Sequence, residues 1–77
     1  MTRCYLEKRD PAHHQQRFYL ITMTPTRFGS WALIREWGRI GQLETVRETG
    51  YDPEAAAQAA GEAPREREER RGYRTRT

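Results

Sequence analysis

The stretch SWALIREWGRIGQLE, residues 30–44, decides the fold because its side chains alternate as they do in a β-strand. In a strand, residues two apart point to the same face. One face is therefore expected to carry Trp31, Leu33, Arg35, Trp37 and Arg39. The opposite face is expected to carry Ala32, Ile34, Glu36 and Ile40. Because glycine permits close approach and unusual backbone geometry, Gly38 and Gly41 are expected to end or bend this strand.

Further strands are expected on both sides of this one. Residues 3–8 alternate enough to form a first strand, and residues 17–23 form a second strand that is apolar on both faces. A turn at residues 25–29 should join the second strand to the tryptophan-rich strand as an antiparallel hairpin. Residues 43–49 form a fourth strand, in which Leu43, Thr45 and Arg47 are expected to share a face.

The pattern changes to that of a helix after residue 51. Asp52 is a candidate N-cap, Pro53 suits the first helical position, and residues 55–60 are rich in alanine. Gly61 and Pro64 interrupt this segment, so we expect a kink or two short helices with Pro64 opening the second. Gly72 is a plausible helix stop, and residues 73–77 suit a short last strand.

These segments predict a single α+β domain over residues 1–77. The expected architecture is an antiparallel sheet of four to five strands with one kinked or broken helix packed on one face. Between Pro53 and Arg71 the chain has no Leu, Ile, Val, Phe or Met. The helix is therefore expected to lie close to the sheet and to be weakly held, since each alanine buries little apolar surface.

The overall composition narrows the class of protein. The chain has 77 residues and a formal net charge of +3, all of it in residues 1–51, which hold eight basic and five acidic groups. Thirteen of its fourteen basic residues are arginine, which can reflect phosphate recognition or a codon bias. One cysteine, Cys4, and no leader or membrane-span pattern indicate a reduced, cytoplasmic protein. The pair His13 and His14 lacks companion ligands, so no metal and no cofactor are expected.

The central tripeptide Trp37-Gly38-Arg39, followed by Ile40-Gly41, resembles the signature of the WGR domain. That family occurs in DNA-damage-activated poly(ADP-ribose) polymerases and in short bacterial proteins. RFYL (residues 17–20), YDPEAA (51–56) and RRGYR (70–74) resemble its early strand, its helix start and its basic ending. The resemblance runs from about residue 5 to residue 74 and implies the same α+β fold. It covers no catalytic domain, so we expect a protein that is not an enzyme.

Trp37 is the first candidate for ligand contact. From the residues alone, its ring can stack on a nucleotide or belong to the core. The resemblance implies that it packs against the terminal sugar of a broken DNA strand. Trp31 is expected in the core.

Three arginines complete the candidate DNA-binding set. Arg39 can contact phosphate, meet a partner protein or hold its own loop, and Arg35 can face the ligand or stack on a tryptophan. Arg47 on the adjacent strand, with Arg17 and Arg27, can widen a basic surface. The neutral-to-acidic helix is expected not to contribute. Four further positions are assigned structural roles in the motif: Gly38, Gly41, Gly72 and Tyr73.

Two functions remain open at this point. The first is a non-enzymatic nucleic-acid-binding module that binds DNA ends or nicks through its tryptophan and arginine surface. The second is a protein–protein interaction module that uses the same surface without DNA, since Trp and Arg are enriched at interface hot spots. The expected partners are DNA, and otherwise a protein or a second copy of the chain, with no membrane and no small-molecule substrate.

Overall fold

The computed structural model describes residues 2–76 as a five-stranded antiparallel sheet with one helix packed on it. In chain order the elements are β1 (Thr2–Asp10), a 3-10 turn (Pro11–His13), β2 (Gln15–Pro25), β3 (Trp31–Arg39), β4 (Gln42–Tyr51), α1 (Glu54–Arg70) and β5 (Arg74–Thr75). The strands lie in the order β4-β3-β2-β1-β5. The predicted α+β class is confirmed, as are the hairpin of β2 and β3 and the short last strand.

The two faces of the sheet differ because the helix covers only one of them. The covered face, the one under α1, includes Tyr19, Ile21 and Met23 of β2 and Leu33 of β3, all of which are buried with Ala57 of the helix. The register places Trp37 beside Tyr19 and Leu33 beside Met23. The predicted alternation of β3 is therefore confirmed, with its tryptophans and arginines on the covered face. The opposite face, called the open face below, has no described element packed over it.

The helix is continuous through Pro64, so the prediction of two short helices is wrong. The ring of Pro64 removes one hydrogen bond, but helices in proteins are stabilised mainly by packing, and this packing continues on both sides of the proline. The buried residues of α1 follow the spacing of one helical stripe and are Ala57, Gly61, Pro64 and Glu68. The N-cap is Pro53 rather than Asp52, and no side chain caps the helix start.

Small side chains let α1 approach the sheet closely, as the alanine-rich sequence predicts. A Cβ atom built on Gly61 would lie 3.3 Å from Cδ1 of Leu33 and 3.6 Å from Cγ2 of Ile21. The core that α1 covers includes Leu6, whose side chain is fully buried. A methyl group at position 61 would therefore be tight against Leu33, whose side chain would have to shift.

Replacing Gly61 with leucine should destabilise the protein because the first of four added carbons would already lie 3.3 Å from Leu33 Cδ1, so Leu33 or α1 must move. Overpacking of this kind costs about 1–3 kcal/mol. For a domain of this size that corresponds to a fall in Tm of roughly 5–20 °C, measurable by circular dichroism. Ala59→Leu is the matched control, since Ala59 lies on the exposed side of the same helix. Equal Tm values for the two variants would contradict the close approach.

Candidate nucleic-acid interface

The pairing of β3 with β4 is irregular at the tripeptide Trp37-Gly38-Arg39. The pairing register shifts between Trp37 and Gly38, because β4 has an extra residue, a β-bulge, at this point. A Cβ atom on Gly38 would lie 2.5 Å from the carbonyl oxygen of Gln42 and 2.8 Å from the amide nitrogen of Glu44. Only glycine fits there. The shift also places Leu43 opposite Gly38, on the open face, so the prediction that Leu43 shares a face with Thr45 and Arg47 is wrong.

The other structural positions of the motif occupy turns and the end of the helix. Gly41 has φ of 91° in the β3–β4 turn, and Gly72 has φ of 100° just after α1, both in the left-handed region that favours glycine. The amide of Tyr73 donates a hydrogen bond to the backbone carbonyl of Glu68 at 3.0 Å. The ring of Tyr73 is buried and meets that of Tyr19 edge-on, with centroids 6.4 Å apart.

Trp37 is partly buried at the border of the core. Its ring stacks on that of Tyr19, with centroids 5.3 Å apart and planes 6° apart. The Trp37 ring thus packs on Tyr19 on one side, and Trp37 lies two residues before the end of β3 at Arg39. Trp31, at the other end of β3, is also partly buried and packs against the core. The core prediction for Trp31 agrees with this position. Trp37 also packs against the core, and its contact with a nucleotide stays a prediction.

Arg35 contacts both Trp37 and Tyr19. Its guanidinium carbon lies 5.8 Å from the centre of the Trp37 ring, and its Nη1 donates to the hydroxyl of Tyr19 at 3.5 Å. Arg47 stands directly across from Arg35 in the β3–β4 register. Two arginines thereby lie side by side on neighbouring strands of the covered face.

Two arginines of α1 lie beside these sheet residues, and their contribution to binding stays untested. Arg67 and Arg71 lie one turn apart near the end of α1 and line a cavity of about 310 Å³ between helix and sheet. The complete lining of this cavity, called the arginine cavity below, is Arg17, Tyr19, Arg35, Trp37, Arg67, Glu68, Arg71 and Tyr73. Four cationic side chains and a single carboxylate therefore surround the Tyr19–Trp37 stack.

Glu68 is the carboxylate that holds the two helix arginines. Its side chain is buried, with the residue only 3% exposed. Arg67 Nε donates to its Oε2 at 3.0 Å, and Arg71 Nη1 donates to its Oε1 at 3.4 Å. The hydrogen bond with Glu68 raises the pKa of Arg67, and the corresponding bond with Glu44 raises the pKa of Arg17. Because an arginine already titrates far above neutrality, the cavity keeps these charges at every physiological pH.

Arg39 is separated from the arginine cavity. It is exposed at the end of β3, pairs in register with Arg17, and borders a cleft of about 610 Å³ between the β1–β2 and β3–β4 turns. The structure therefore brings Trp37 and Arg35 into one site, places Arg47 beside Arg35, and directs Arg39 towards a neighbouring cleft. Arg27 lies in the turn between β2 and β3, at the opposite end of β3 from Arg39.

The histidine pair lies in the turn between β1 and β2, where His13 Nδ1 is 2.8 Å from an Asp10 carboxylate oxygen. No group of three or more metal-binding side chains occurs in the part of the chain that the structure describes.

Among residues 2–76, no helix combines the length and the apolar character needed to cross a membrane.

An antiparallel sheet that carries one helix, with a stacked tryptophan and arginines between them, defines a small α+β binding module. The chain belongs to the WGR domain family, whose model matches residues 2–77. This is a family of nucleic-acid-binding modules and not of catalysts. The family resemblance of the tripeptide and its flanking segments is thereby confirmed.

One curated relative shares part of the chain. The uncharacterized protein y4dW of Sinorhizobium fredii (strain NBRC 101917 / NGR234) is 44% identical over 39 residues, which cover 51% of this chain and 19% of that protein. The match thus spans about a fifth of the relative's length. No solved structure matches the chain significantly.

Proposed function

We propose that this chain is a non-enzymatic, cytoplasmic DNA-binding module that binds strand ends or nicks through Trp37, Arg35, Arg39 and Arg47. The observation that carries the proposal is the arginine cavity, in which cationic side chains surround the Tyr19–Trp37 stack. Aromatic rings stack on bases or sugars, and guanidinium groups match the two-point geometry of phosphate. Arg67 and Arg71 join the proposed set because they line the same cavity.

The recessed position of Trp37 favours an end or a nick over continuous duplex. One side of its ring is occupied by Tyr19, and the rest lies beside α1. A volume of about 310 Å³ is at the small end of the range for ligand pockets, about 300–1,000 Å³. A terminal nucleotide can enter such a recess. A paired and stacked nucleotide inside a duplex would first have to leave the stack, which costs a few kcal/mol.

The surrounding arginines provide a second reason for an anionic ligand. Among the residues that line the arginine cavity, four are arginine and one is acidic. Arg67 and Arg71 both bind that one carboxylate, while the Arg35 guanidinium contacts only a hydroxyl and a ring among its described contacts. A phosphate near Arg35 and Arg47 would therefore meet positive charge on both neighbouring strands.

Binding should depend steeply on salt and hardly on pH. If three phosphates are neutralised, affinity should fall roughly 40-fold between about 50 and 200 mM monovalent salt, because bound counterions are released. Between about pH 7 and 9 affinity should stay constant, since neither arginine nor a phosphodiester titrates there. Fluorescence anisotropy with labelled blunt duplex, nicked duplex and single-stranded DNA measures both dependences.

The same titrations test the structural preference. Tighter binding to the nicked or blunt DNA than to a circular duplex competitor would support the proposal. Equal, weak binding to every DNA would contradict it. The tryptophan and arginine surface would then be assigned to a protein partner, the alternative function.

A further inference from the structure

The open face of the sheet is apolar along its centre. Tyr5 of β1 stacks on Phe18 of β2, with ring centroids 6.2 Å apart and planes 16° apart. Leu20, Ile34 and Val46 lie on the same face, with Glu36 between Leu20 and Val46 in the register. Val46 is 51% exposed. A sheet face of this composition normally packs against another layer.

Charge is distributed unevenly around this apolar centre. The β1 and β5 side of the open face carries four arginines, namely Arg3, Arg9, Arg74 and Arg76, around the single carboxylate of Glu7. The Glu7 carboxylate accepts a hydrogen bond from the Tyr5 hydroxyl at 2.9 Å. It also lies 3.2 Å from Arg9 Nε and 3.8 Å from Arg76 Nε. The β3 and β4 side carries Glu36 and Glu48, with no basic residue of these strands on the same face. One side of the open face is thus basic and the other is acidic.

We propose that the open face binds a second copy of this chain, sheet against sheet, about a two-fold axis parallel to the strands. Such an axis places β1 of one copy over β4 of the other, and β2 over β3. Strand β1, which carries Arg3, then lies over the partner's β4, whose open face carries Glu48, and the symmetry repeats this contact, as an isologous interface requires. An axis across the strands would instead place β1 over β1 and oppose like charges.

The strand register determines which residues of the two copies face each other in the proposed dimer. Arg3, Thr22, Ile34 and Glu48 form one row across the sheet, so Arg3 faces Glu48 of the partner subunit. In the next row Tyr5 faces the partner's Val46, and Leu20 faces the partner's Glu36. In the third, Phe18 faces the partner's Gly38 and Glu7 faces the partner's Leu43.

The dimensions of the open face suit a stable dimer. Four strands at about 4.8 Å spacing and some nine residues of about 3.3 Å each give a face of roughly 19 by 30 Å. With side-chain relief this approaches the ~800 Å² that each partner contributes to a standard interface. The arginine cavity lies on the covered face, so dimerisation leaves both DNA sites accessible.

Sedimentation velocity over about 1–300 µM protein tests the dimer, a range that covers micromolar affinities. The wild type should change from monomer to dimer with concentration, and Leu20→Arg and Val46→Arg should remain monomeric. Val46→Arg keeps the test valid if Leu20→Arg fails to fold, because Val46 is already half exposed. Phe28→Arg is the control: Phe28 is 87% exposed in the β2–β3 turn, outside the open face, and its variant should dimerise like the wild type.

Charge reversal tests the direction of the axis. Arg3→Glu opposes Glu48 of the partner subunit at two symmetric positions and should raise the dimer Kd about tenfold, since like charges across an interface are repulsive. Adding Glu48→Arg should restore the Kd to within about twofold of the wild type. A wild type that stays monomeric at 300 µM would overturn the proposal. So would a dimer that Val46→Arg does not weaken, or a double reversal that is no tighter than Arg3→Glu alone.

Discussion

Replacing Trp37 with alanine should weaken binding to nicked or blunt DNA by about 10- to 100-fold, the effect of losing roughly 1–3 kcal/mol of aromatic stacking. The ring is the largest side chain of the arginine cavity and is held in place by Tyr19 and Arg35. Its loss removes the stacking surface and also releases the two side chains that position it. Anisotropy titrations at fixed salt measure the change, with circular dichroism to establish that the variant is folded.

Trp31→Ala is the matched control for this experiment. Trp31 lies on the same strand and the same face, is likewise partly buried, and packs against the core away from the arginine cavity. Its replacement should lower stability without changing DNA affinity by more than about twofold, because distant sites act independently. A folded Trp37→Ala variant that binds as tightly as Trp31→Ala would remove Trp37 from the proposed site. Trp37→Phe, which keeps a ring, should retain part of the affinity.

Gly38→Ala should be among the most destabilising single changes to the sheet, although it adds only one carbon. That carbon would lie 2.5 Å from the Gln42 carbonyl oxygen and 2.8 Å from the Glu44 amide, both of them backbone atoms that cannot rotate away. The β3–β4 pairing must shift, at a cost of about 1–3 kcal/mol or more. Stability of the whole chain is about 4–11 kcal/mol by size, so urea unfolding should resolve the loss easily.

Gly50→Ala separates this clash from the general effect of removing a glycine. Gly50 lies in β4 and does not have a positive φ, and a Cβ atom added to it would meet no other atom within 4 Å. Alanine there should be neutral or slightly stabilising, since it restricts the unfolded chain. If both variants unfold at the same urea concentration, steric exclusion at the bulge is not the reason for Gly38.

Most of the sheet could be predicted from the sequence because strand periodicity is local. The alternation from Trp31 to Arg39 is enough to assign both faces, and the turn at residues 25–29 is enough to fold the hairpin. The bulge opposite Gly38 could not be located, since one inserted residue in β4 changes no local preference. The sequence also left open whether Pro64 kinks or breaks the helix, because that depends on the packing of the stripe from Ala57 to Glu68 on the sheet.

The sequence predicts the candidate site only in part. Trp37 and Arg35 can be paired because they are two residues apart on one strand. Arg67 and Arg71 are harder to assign, since the opposite charges that alternate around them are typical of a solvated helix face. Their four-residue spacing does indicate a shared side of the helix. What periodicity cannot supply is the position of the helix end beside Tyr19, which depends on packing between α1 and the sheet.

The strand order also limits how large an assembly this chain can form. No strand within residues 2–76 pairs with the outer edge of β4, so this edge could in principle template further chains. Glu44, Arg47 and Glu48 are exposed along it, and charges of this kind discourage edge-to-edge addition. A dimer formed through the open face should therefore not grow further through the β4 edge. Concentrated solutions should stay clear of fibres, even though every copy exposes a ten-residue edge strand.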